Sequence, residues 1–136
     1  MGYAMKAAIK YFVIVALVSG IAACNRQQPI LTIEDARIPR PAEALTLGQI
    51  KNNIVQAALD KGWLVDDAGP GELRATLKWK NHVAITAIRF SKTTYSIKLA
   101  SSRNLKEENG VIHRKYNLEV QALEAEIDKR LYRPSH

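Results

Sequence analysis

The feature that most constrains this fold is an alternation of apolar and polar residues that begins at position 73. It places Leu73, Ala75, Leu77 and Trp79 on one side of the chain and Arg74, Thr76, Lys78 and Lys80 on the other. A period of two residues is typical of a β-strand with one buried and one solvated face. Such half-solvated strands occur in antiparallel sheets, so the pattern predicts an antiparallel sheet here.

The neighbouring residues extend this pattern to four short strands. Trp63 and Val65 predict a first strand, and residues 66–71 (DDAGPG) are a turn signal before the second strand at 73–79. Residues 82–90 predict a third strand, with one face formed by Ala84, Thr86, Ile88 and Phe90. Alternating residues from Tyr95 to Leu99 predict a fourth strand, so the sequence indicates a four-stranded antiparallel meander.

Two helical patterns flank the predicted strands. Thr46 and Gln49 form a capping box, which predicts a helix over 46–61 that ends at Gly62. A second helix is predicted over 112–131, with an apolar stripe made by Tyr116, Val120, Leu123, Ile127 and Leu131. Because a half-buried sheet needs a cover, both helices are expected on one face. The predicted fold class is α+β, a two-layer sandwich whose core aromatics are Trp63, Trp79, Tyr95 and Tyr116.

The first 23 residues have the pattern of a secretory signal peptide. Lys6 and Lys10 precede an apolar run, Tyr11–Ile21, that is 11 residues long. A stable membrane-spanning helix needs about 20 apolar residues, so a cleaved leader is favoured over a permanent anchor. Met5 is an alternative start that leaves the rest of this pattern unchanged.

The end of this leader, Ile21-Ala22-Ala23-Cys24, resembles the lipobox of bacterial lipoproteins. The resemblance implies cleavage before Cys24, a diacylglyceryl thioether on its sulfur and a further acyl chain, such as palmitate, on its amine. Two or three chains hold a protein stably on a membrane, whereas one chain binds marginally. Asn25, in place of Asp, implies the outer membrane, facing the periplasm, over the inner membrane. The alternative is an ordinary secretory signal with an incidental cysteine.

Prolines divide the remaining 113 residues. Residues 24–44 contain Pro29, Pro39 and Pro41 and are predicted to be the lipidated cysteine with a tether, which at about 3.1 Å per residue reaches roughly 60 Å. Because residues 30–38 include four large aliphatic side chains, an added edge strand is an open alternative there. The globular domain is predicted over 45–132, with a tail at 133–136.

The composition excludes several classes of protein. A hydrophobic content of 47% and a single cysteine exclude a disordered polymer, an internal disulfide and a Cys-clustered zinc site. The three histidines, His82, His113 and His136, are far apart in sequence, so neither a metal nor another cofactor is expected. Export also disfavours nucleic acid as the partner of this chain, despite its net charge of +7.

Two groups of residues are candidate sites. Ser102, Asn104, His113, Tyr116 and Asn117 are expected near the start of the second helix. They are interpreted as a structural latch, in which Ser102 and Asn104 bond to the helix N-terminus and Tyr116 packs in the core with a bonded hydroxyl. The alternatives are a small polar site and, less favoured, a hydrolase built on Ser102 and His113, which lacks a third catalytic member.

The second group is a basic sheet face formed by Arg74, Lys78, Lys80 and Lys98. It is interpreted as a solvated surface that protects the sheet from aggregation. The alternative is a binding face for an anionic envelope ligand, such as lipopolysaccharide, anionic lipid or an acidic protein.

Five short motifs resemble a group of small, mostly uncharacterised lipoproteins of Gram-negative bacteria. They are Gly62-Trp63, His82-x-Ala84-x-x-x-Ile88-x-Phe90, Tyr95-Ser96-Ile97, Ser102-x-Asn104-Leu105 and Ile112-His113-x-x-Tyr116-Asn117. Where many members have a Trp, this chain has Glu119, which implies an exposed or differently packed position. The resemblance implies an envelope lipoprotein and no particular chemistry. We therefore expect a non-catalytic binding or support module, held on the membrane through Cys24, whose partner and oligomeric state the sequence leaves open.

Overall fold

The computed structural model describes residues 26–136. Within this range the strands are β1 Gln27–Pro29, β2 Ile33–Arg37, β3 Leu64–Asp67, β4 Glu72–Trp79, β5 His82–Phe90, β6 Thr94–Arg103 and β7 Val111–His113. The helices of the same range are α1 Arg40–Glu43, α2 Leu47–Asp60 and α3 Arg114–Tyr132. The predicted α+β class is confirmed, and the strand pairings among residues 26–136 are antiparallel.

The main sheet has five strands in the order β2-β6-β5-β4-β3. The four predicted strands, β3 to β6, are neighbours in sequence order, but the prediction of a four-stranded sheet is wrong because β2 adds a fifth strand beside β6. A bulge interrupts this pairing at Asp35, whose φ is +49° and whose backbone N–H donates to the Ser96 hydroxyl. The structure therefore has an added edge strand within residues 30–38, the alternative that the sequence left open.

The tether predicted over 24–44 is thus wrong for most of the part that the structure describes. Strand β1 pairs with β7 in a separate two-stranded sheet, β2 joins the main sheet, and α1 follows with Ala42 fully buried. Ile38 and Leu45 are also buried in the core. The predicted tail is fixed as well, because the Asn53 side chain exchanges two hydrogen bonds with the backbone of Ser135. Apolar burial near both ends of the domain offsets the entropy of ordering these segments.

Local sequence signals position α2 and the turn after β3. The Thr46 hydroxyl accepts a hydrogen bond from the Gln49 N–H, and the Thr46 N–H donates one to Gln49 Oε1, so the predicted capping box is confirmed. The β3–β4 turn ends at Gly71, whose φ is +69°. A Cβ there would lie 2.9 Å from the Phe90 carbonyl oxygen, so this position requires glycine.

The start of α3 differs from the prediction. Residues 111–113 form β7 instead of the first helical turn, because the His113 N–H donates to the Leu105 carbonyl and Gln27 pairs with His113. The helix therefore begins at Arg114, with His113 as its N-cap. The five stripe residues from Tyr116 to Leu131 are all fully buried, as the stripe predicts.

One hydrophobic cluster joins the helices to the inward face of the sheet. Three large aromatic side chains, Trp63, Tyr95 and Tyr116, are at most 1% exposed. Trp79 was expected beside them but is only half-buried, since it ends β4 at the edge of the cluster. Among residues 26–136, no helix has the length and apolar character needed to cross a membrane.

Candidate functional site

The residues predicted as a latch are close in the structure, but their hydrogen bonds differ from those predicted. The Ser102 hydroxyl donates to the Glu107 carboxylate at 2.6 Å, and Asn104 donates from Nδ2 to the Asn81 carbonyl at 2.7 Å. Within residues 26–136, neither of these side chains bonds to the N-terminus of α3. The sequence pattern could not show this, because the bulge in β6 and the positive φ of Asn104 set the direction of the loop.

Two other members of this group stabilise α3 itself. His113 caps the helix, since its Nδ1 accepts from the Lys115 N–H at 3.2 Å. Tyr116 is fully buried, and its hydroxyl has no hydrogen-bond partner among the described residues, which contradicts the predicted bonded hydroxyl. Burial, with a smaller contribution from the charge of Glu107, raises the pKa of Tyr116 above its ordinary value. Tyr116 therefore stays neutral and acts as a core residue.

Asn117 has a role that the sequence did not indicate. Its Oδ1 accepts from the Leu31 N–H at 3.0 Å, and its Nδ2 donates to the Pro29 carbonyl at 2.9 Å and to Gln28 at 3.3 Å. This side chain is 7% exposed. An amide has one acceptor and two donor positions, so it can satisfy an extended backbone that crosses the helix. Asn117 thus holds the segment after β1 against α3.

Ser102 and His113 are not arranged as a nucleophile and base. The hydroxyl of Ser102 is bonded to Glu107, and Nδ1 of His113 is bonded to the backbone of Lys115. A hydrolase needs a hydrogen bond from the nucleophile to its base, and the hydrogen bonds within residues 26–136 include none between this pair. Within the same residues, no group of three acidic, His or Cys side chains is placed to hold a metal.

The four residues of the predicted basic face do not form one basic surface, because acids lie among them and one of the four lies beyond the face. Arg74, Lys78 and Lys98 are exposed on strands β4 and β6, whereas Lys80 lies beyond the face, in the turn after β4, with a φ of +52°. Lys98 forms an ion pair with Glu34 at 3.0 Å, and Arg74 pairs in register with Asp66. The charge of this face is therefore mixed.

A different basic surface forms where β4 and β5 meet the start of α3. A groove of about 340 Å³ is lined there by Trp79, Lys80, His82, Leu105, His113 and Lys115. The rings of Trp79 and His82 lie 5.4 Å apart, and His82 Nδ1 is 2.6 Å from the Asn104 carbonyl. A carbonyl can only accept a hydrogen bond, so this contact places a proton on Nδ1, and Nε2 takes no part in it.

Hydrogen bonds attach the first described residues to the same surface. The Arg114 N–H donates to the Arg26 carbonyl at 3.0 Å, and the Gln27 side chain donates to the Lys106 carbonyl at 3.0 Å. We call this surface the basic end. Its cations are Arg26, Lys80, Lys106, Arg114 and Lys115, and all five are exposed.

The cations of the basic end outnumber the nearby acids, which are Glu107, Glu108 and Glu119. Lys115 forms an ion pair with Glu119 at 2.8 Å. The other four cations have no ion-pair partner within residues 26–136. One signal for this surface was present in the sequence: Arg114 and Lys115 occupy the first turn of a helix, where acidic residues are favoured.

Comparisons with family models, curated proteins and solved structures gave no match to this chain. The interpretation of the site therefore depends on the sequence and geometry described above.

Proposed function

We propose that this chain is a cell-envelope lipoprotein, anchored by acyl chains on Cys24, whose domain binds or supports another envelope component without catalysis. One observation carries the proposal: the only cysteine follows an 11-residue apolar run and two alanines. This cysteine lies outside the described residues, so its support comes from the sequence pattern. The resemblance of the five motifs to small envelope lipoproteins supports the same proposal.

The absence of catalysis is supported by what the polar residues do. Ser102, His113 and Asn117 are each engaged in hydrogen bonds that fix a loop, a helix start or the N-terminal segment. Their bonding capacity is therefore used to stabilise the fold. We also propose that α2 and α3 cover one face of the sheet as a single layer, because inward strand residues are buried with them while Arg74, Lys78 and Arg89 are exposed.

The test is replacement of Cys24 in the full-length chain expressed in a Gram-negative host. Cys24→Ser removes the sulfur that would carry the diacylglyceryl group, so the protein should keep its leader or leave the membrane fraction. Mass spectrometry of the wild-type chain should show Cys24 as the first residue, with a mass added by acylation. An intact leader or an unmodified Cys24 in the native protein would overturn the proposal.

A matched variant separates anchoring from sorting. Asn25→Asp leaves the lipobox intact, so acylation should persist while the protein moves from the outer to the inner membrane fraction. Retention of the outer-membrane position by this variant would overturn the proposed location and leave the anchor unaffected.

A second candidate function, binding of lipopolysaccharide by the outward face of the sheet, is favoured by one observation. The half-buried Val83 and Ala87 pair in register with Lys78 and Arg74, and these two cations have no ion-pair partner within residues 26–136. A surface with both apolar and cationic groups suits an acylated phosphate ligand. Arg74→Gln with Lys78→Gln should weaken binding of purified lipopolysaccharide, and unchanged binding would exclude this face.

A further inference from the structure

The position of the proposed anchor relative to the fold is decided by β1. Cys24 is two residues before Arg26, and the Arg26 carbonyl is bonded to the start of α3. Two residues span at most about 7 Å when fully extended. The acyl chains must therefore leave the domain beside the basic end, and not from the tip of a long tether.

This distance brings the basic end into the electric field of the membrane. The sulfur of an acylated cysteine lies near the lipid headgroups. Electrostatic forces in physiological salt extend over about 8–10 Å, which is comparable to the longest reach of the two linking residues. Exposed cations next to Arg26 are consequently close enough to attract anionic headgroups.

The charge of the basic end is complementary to such a surface. Arg26, Lys80, Lys106 and Arg114 are exposed and have no ion-pair partner within residues 26–136. The acids nearby are Glu107, which stays charged while it accepts from the Ser102 hydroxyl, Glu108 and the Glu119 that pairs with Lys115, so the five cations of the basic end outnumber them. Each basic residue near an anionic lipid surface strengthens association by about fivefold.

The first turn of α3 gives an independent argument. Its residues include Arg114 and Lys115 and no acid. A cation at this position is repelled by the partial positive charge of the helix N-terminus, so the arrangement costs stability. The same arrangement adds the helix dipole to the positive potential of the side chains. An anion outside the domain would offset this repulsion.

The groove also contains a side chain suited to the headgroup region. Trp79 is half-buried, lies against His82 with its ring tilted by 38°, and lines the groove together with Lys80 and Lys115. Tryptophan is enriched at membrane–water interfaces because its ring is apolar and its N–H is polar.

We infer that the basic end docks on the anionic phospholipid headgroups of the membrane that holds the acyl chains of Cys24, so that the domain lies on the bilayer with a fixed orientation. This inference rests on the proposed acylation. The anchor alone would leave the domain free to rotate, whereas docking would direct the opposite end of the sheet away from the membrane.

The experiment uses the full acylated protein, purified from membranes and reconstituted into vesicles that contain brominated lipids. The two tryptophans make the readout specific, because Trp63 is 1% exposed whereas Trp79 lies in the groove. Trp79 should be quenched in vesicles containing phosphatidylglycerol and much less in pure phosphatidylcholine. In 1 M salt the screening distance falls to about 3 Å, so the quenching should drop to the neutral-vesicle level. Trp79→Phe should remove the lipid-dependent signal.

The test variant is Lys80→Glu with Arg114→Glu, and its control is Arg37→Glu with Lys92→Glu. The control residues are exposed near the opposite end of the sheet, where Arg37 pairs with Thr94. The test variant should weaken docking by at least about 25-fold, measured from quenching against the fraction of anionic lipid, and the control should not.

Mass spectrometry of the same sample distinguishes the two possible failures. If the protein is acylated but Trp79 is quenched equally in neutral and anionic vesicles, the docking inference alone is overturned. An acidic protein would then be the remaining candidate partner of the basic end. An unmodified Cys24 would overturn the proposed anchor and the docking together.

Discussion

The two ends of the main sheet differ in how many of their cations are paired with acids. At the end where β4 begins, Lys51 pairs with Asp67 at 2.6 Å and Arg89 with Glu72 at 3.5 Å, whereas Arg37 and Lys92 are exposed without an ion-pair partner within residues 26–136. At the basic end, four exposed cations have no such partner within residues 26–136. Surface ion pairs contribute little to stability, so the pairing at the first end mainly lowers the net potential. The unpaired cations keep a positive potential at the end beside the proposed anchor.

The two ends share one hydrophobic core, so the largest effect should come from a change that weakens both. Leu123 is fully buried in α3, and Leu123→Ala removes apolar contacts and leaves a cavity. We expect a loss of about 2–5 kcal/mol in the free energy of unfolding, measured by chemical denaturation. Leu118→Ala, at a side chain that is 48% exposed, is the control and should change stability by less than about 0.5 kcal/mol. Equal effects of the two changes would contradict the assignment of the stripe to the core.

The next prediction concerns how each terminal segment is attached. Asn117 bonds to the segment after β1, and Asn53 bonds to Ser135 in the C-terminal segment. Asn117→Ala leaves the Leu31 N–H and the Pro29 carbonyl without this partner, which should cost about 1–3 kcal/mol.

Amide hydrogen exchange distinguishes these two attachments. Asn117→Ala should release the Leu31 amide to exchange under conditions in which Val120 stays protected. Asn53→Ala is the matched control, and it should affect the Ser135 amide and leave Leu31 protected. Loss of protection at Leu31 in the control would show that the attachments are not independent.

A smaller effect on stability, this time an increase, should distinguish the charge environments of the two ends. Arg114→Glu places an acid in the first turn of α3, where it interacts favourably with the helix dipole. We expect stabilisation by about 0.3–1 kcal/mol at low ionic strength, measured by thermal or chemical unfolding. Lys92→Glu, near the opposite end, should be close to neutral, and added salt should reduce the difference between the variants. A destabilised Arg114→Glu variant would mean that this side chain has a structural contact that its exposure conceals.

The smallest effect is expected at the ion pair of the opposite end. A hydrogen bond from Lys51 holds the pKa of the Asp67 carboxyl below its ordinary value of 3.8, with smaller contributions from the Gly69 N–H and the charge of Lys51. Because the folded-state pKa is lowered, the stabilising contribution is present above pH 3.8 and is lost as the pH falls through the folded value.

Asp67→Asn should therefore reduce stability slightly at neutral pH, and the difference should vanish in strong acid. Denaturation curves at a series of pH values measure it, and Lys51→Gln supplies the control background. In that background the substitution of Asp67 should have little further effect; an undiminished effect would locate its origin outside the pair.

Patterns with a short range predicted most of the secondary structure. The alternation at 73–79 and the capping box at Thr46 depend on residues within a few positions of each other, and both describe the structure. The stripe of α3 was predicted for the same reason, since its spacing of three and four residues reflects one helical turn. The sequence did not predict where α3 begins, because β7 forms only when the distant residue Gln27 pairs with His113.

The candidate site shows the same division. Arg114 and Lys115 could be recognised as unusual in the first turn of a helix, but Arg26, Lys80 and Lys106 join them only through long-range contacts. The prediction of a basic face did not include Glu34, because that residue reaches Lys98 only when β2 adds to the sheet.

The sequence by itself determined the α+β class, the capping box of α2 and the inward faces of the strands, since periodicity and capping act over single turns and neighbouring residues. It also contains Cys24 and the apolar run before it, on which the proposed anchor depends. The tertiary structure decided that residues 27–37 belong to the fold and that separate cations meet at one end of the sheet. Strand pairing and charge clustering join residues far apart in the chain, and no local pattern specifies which of them will become neighbours.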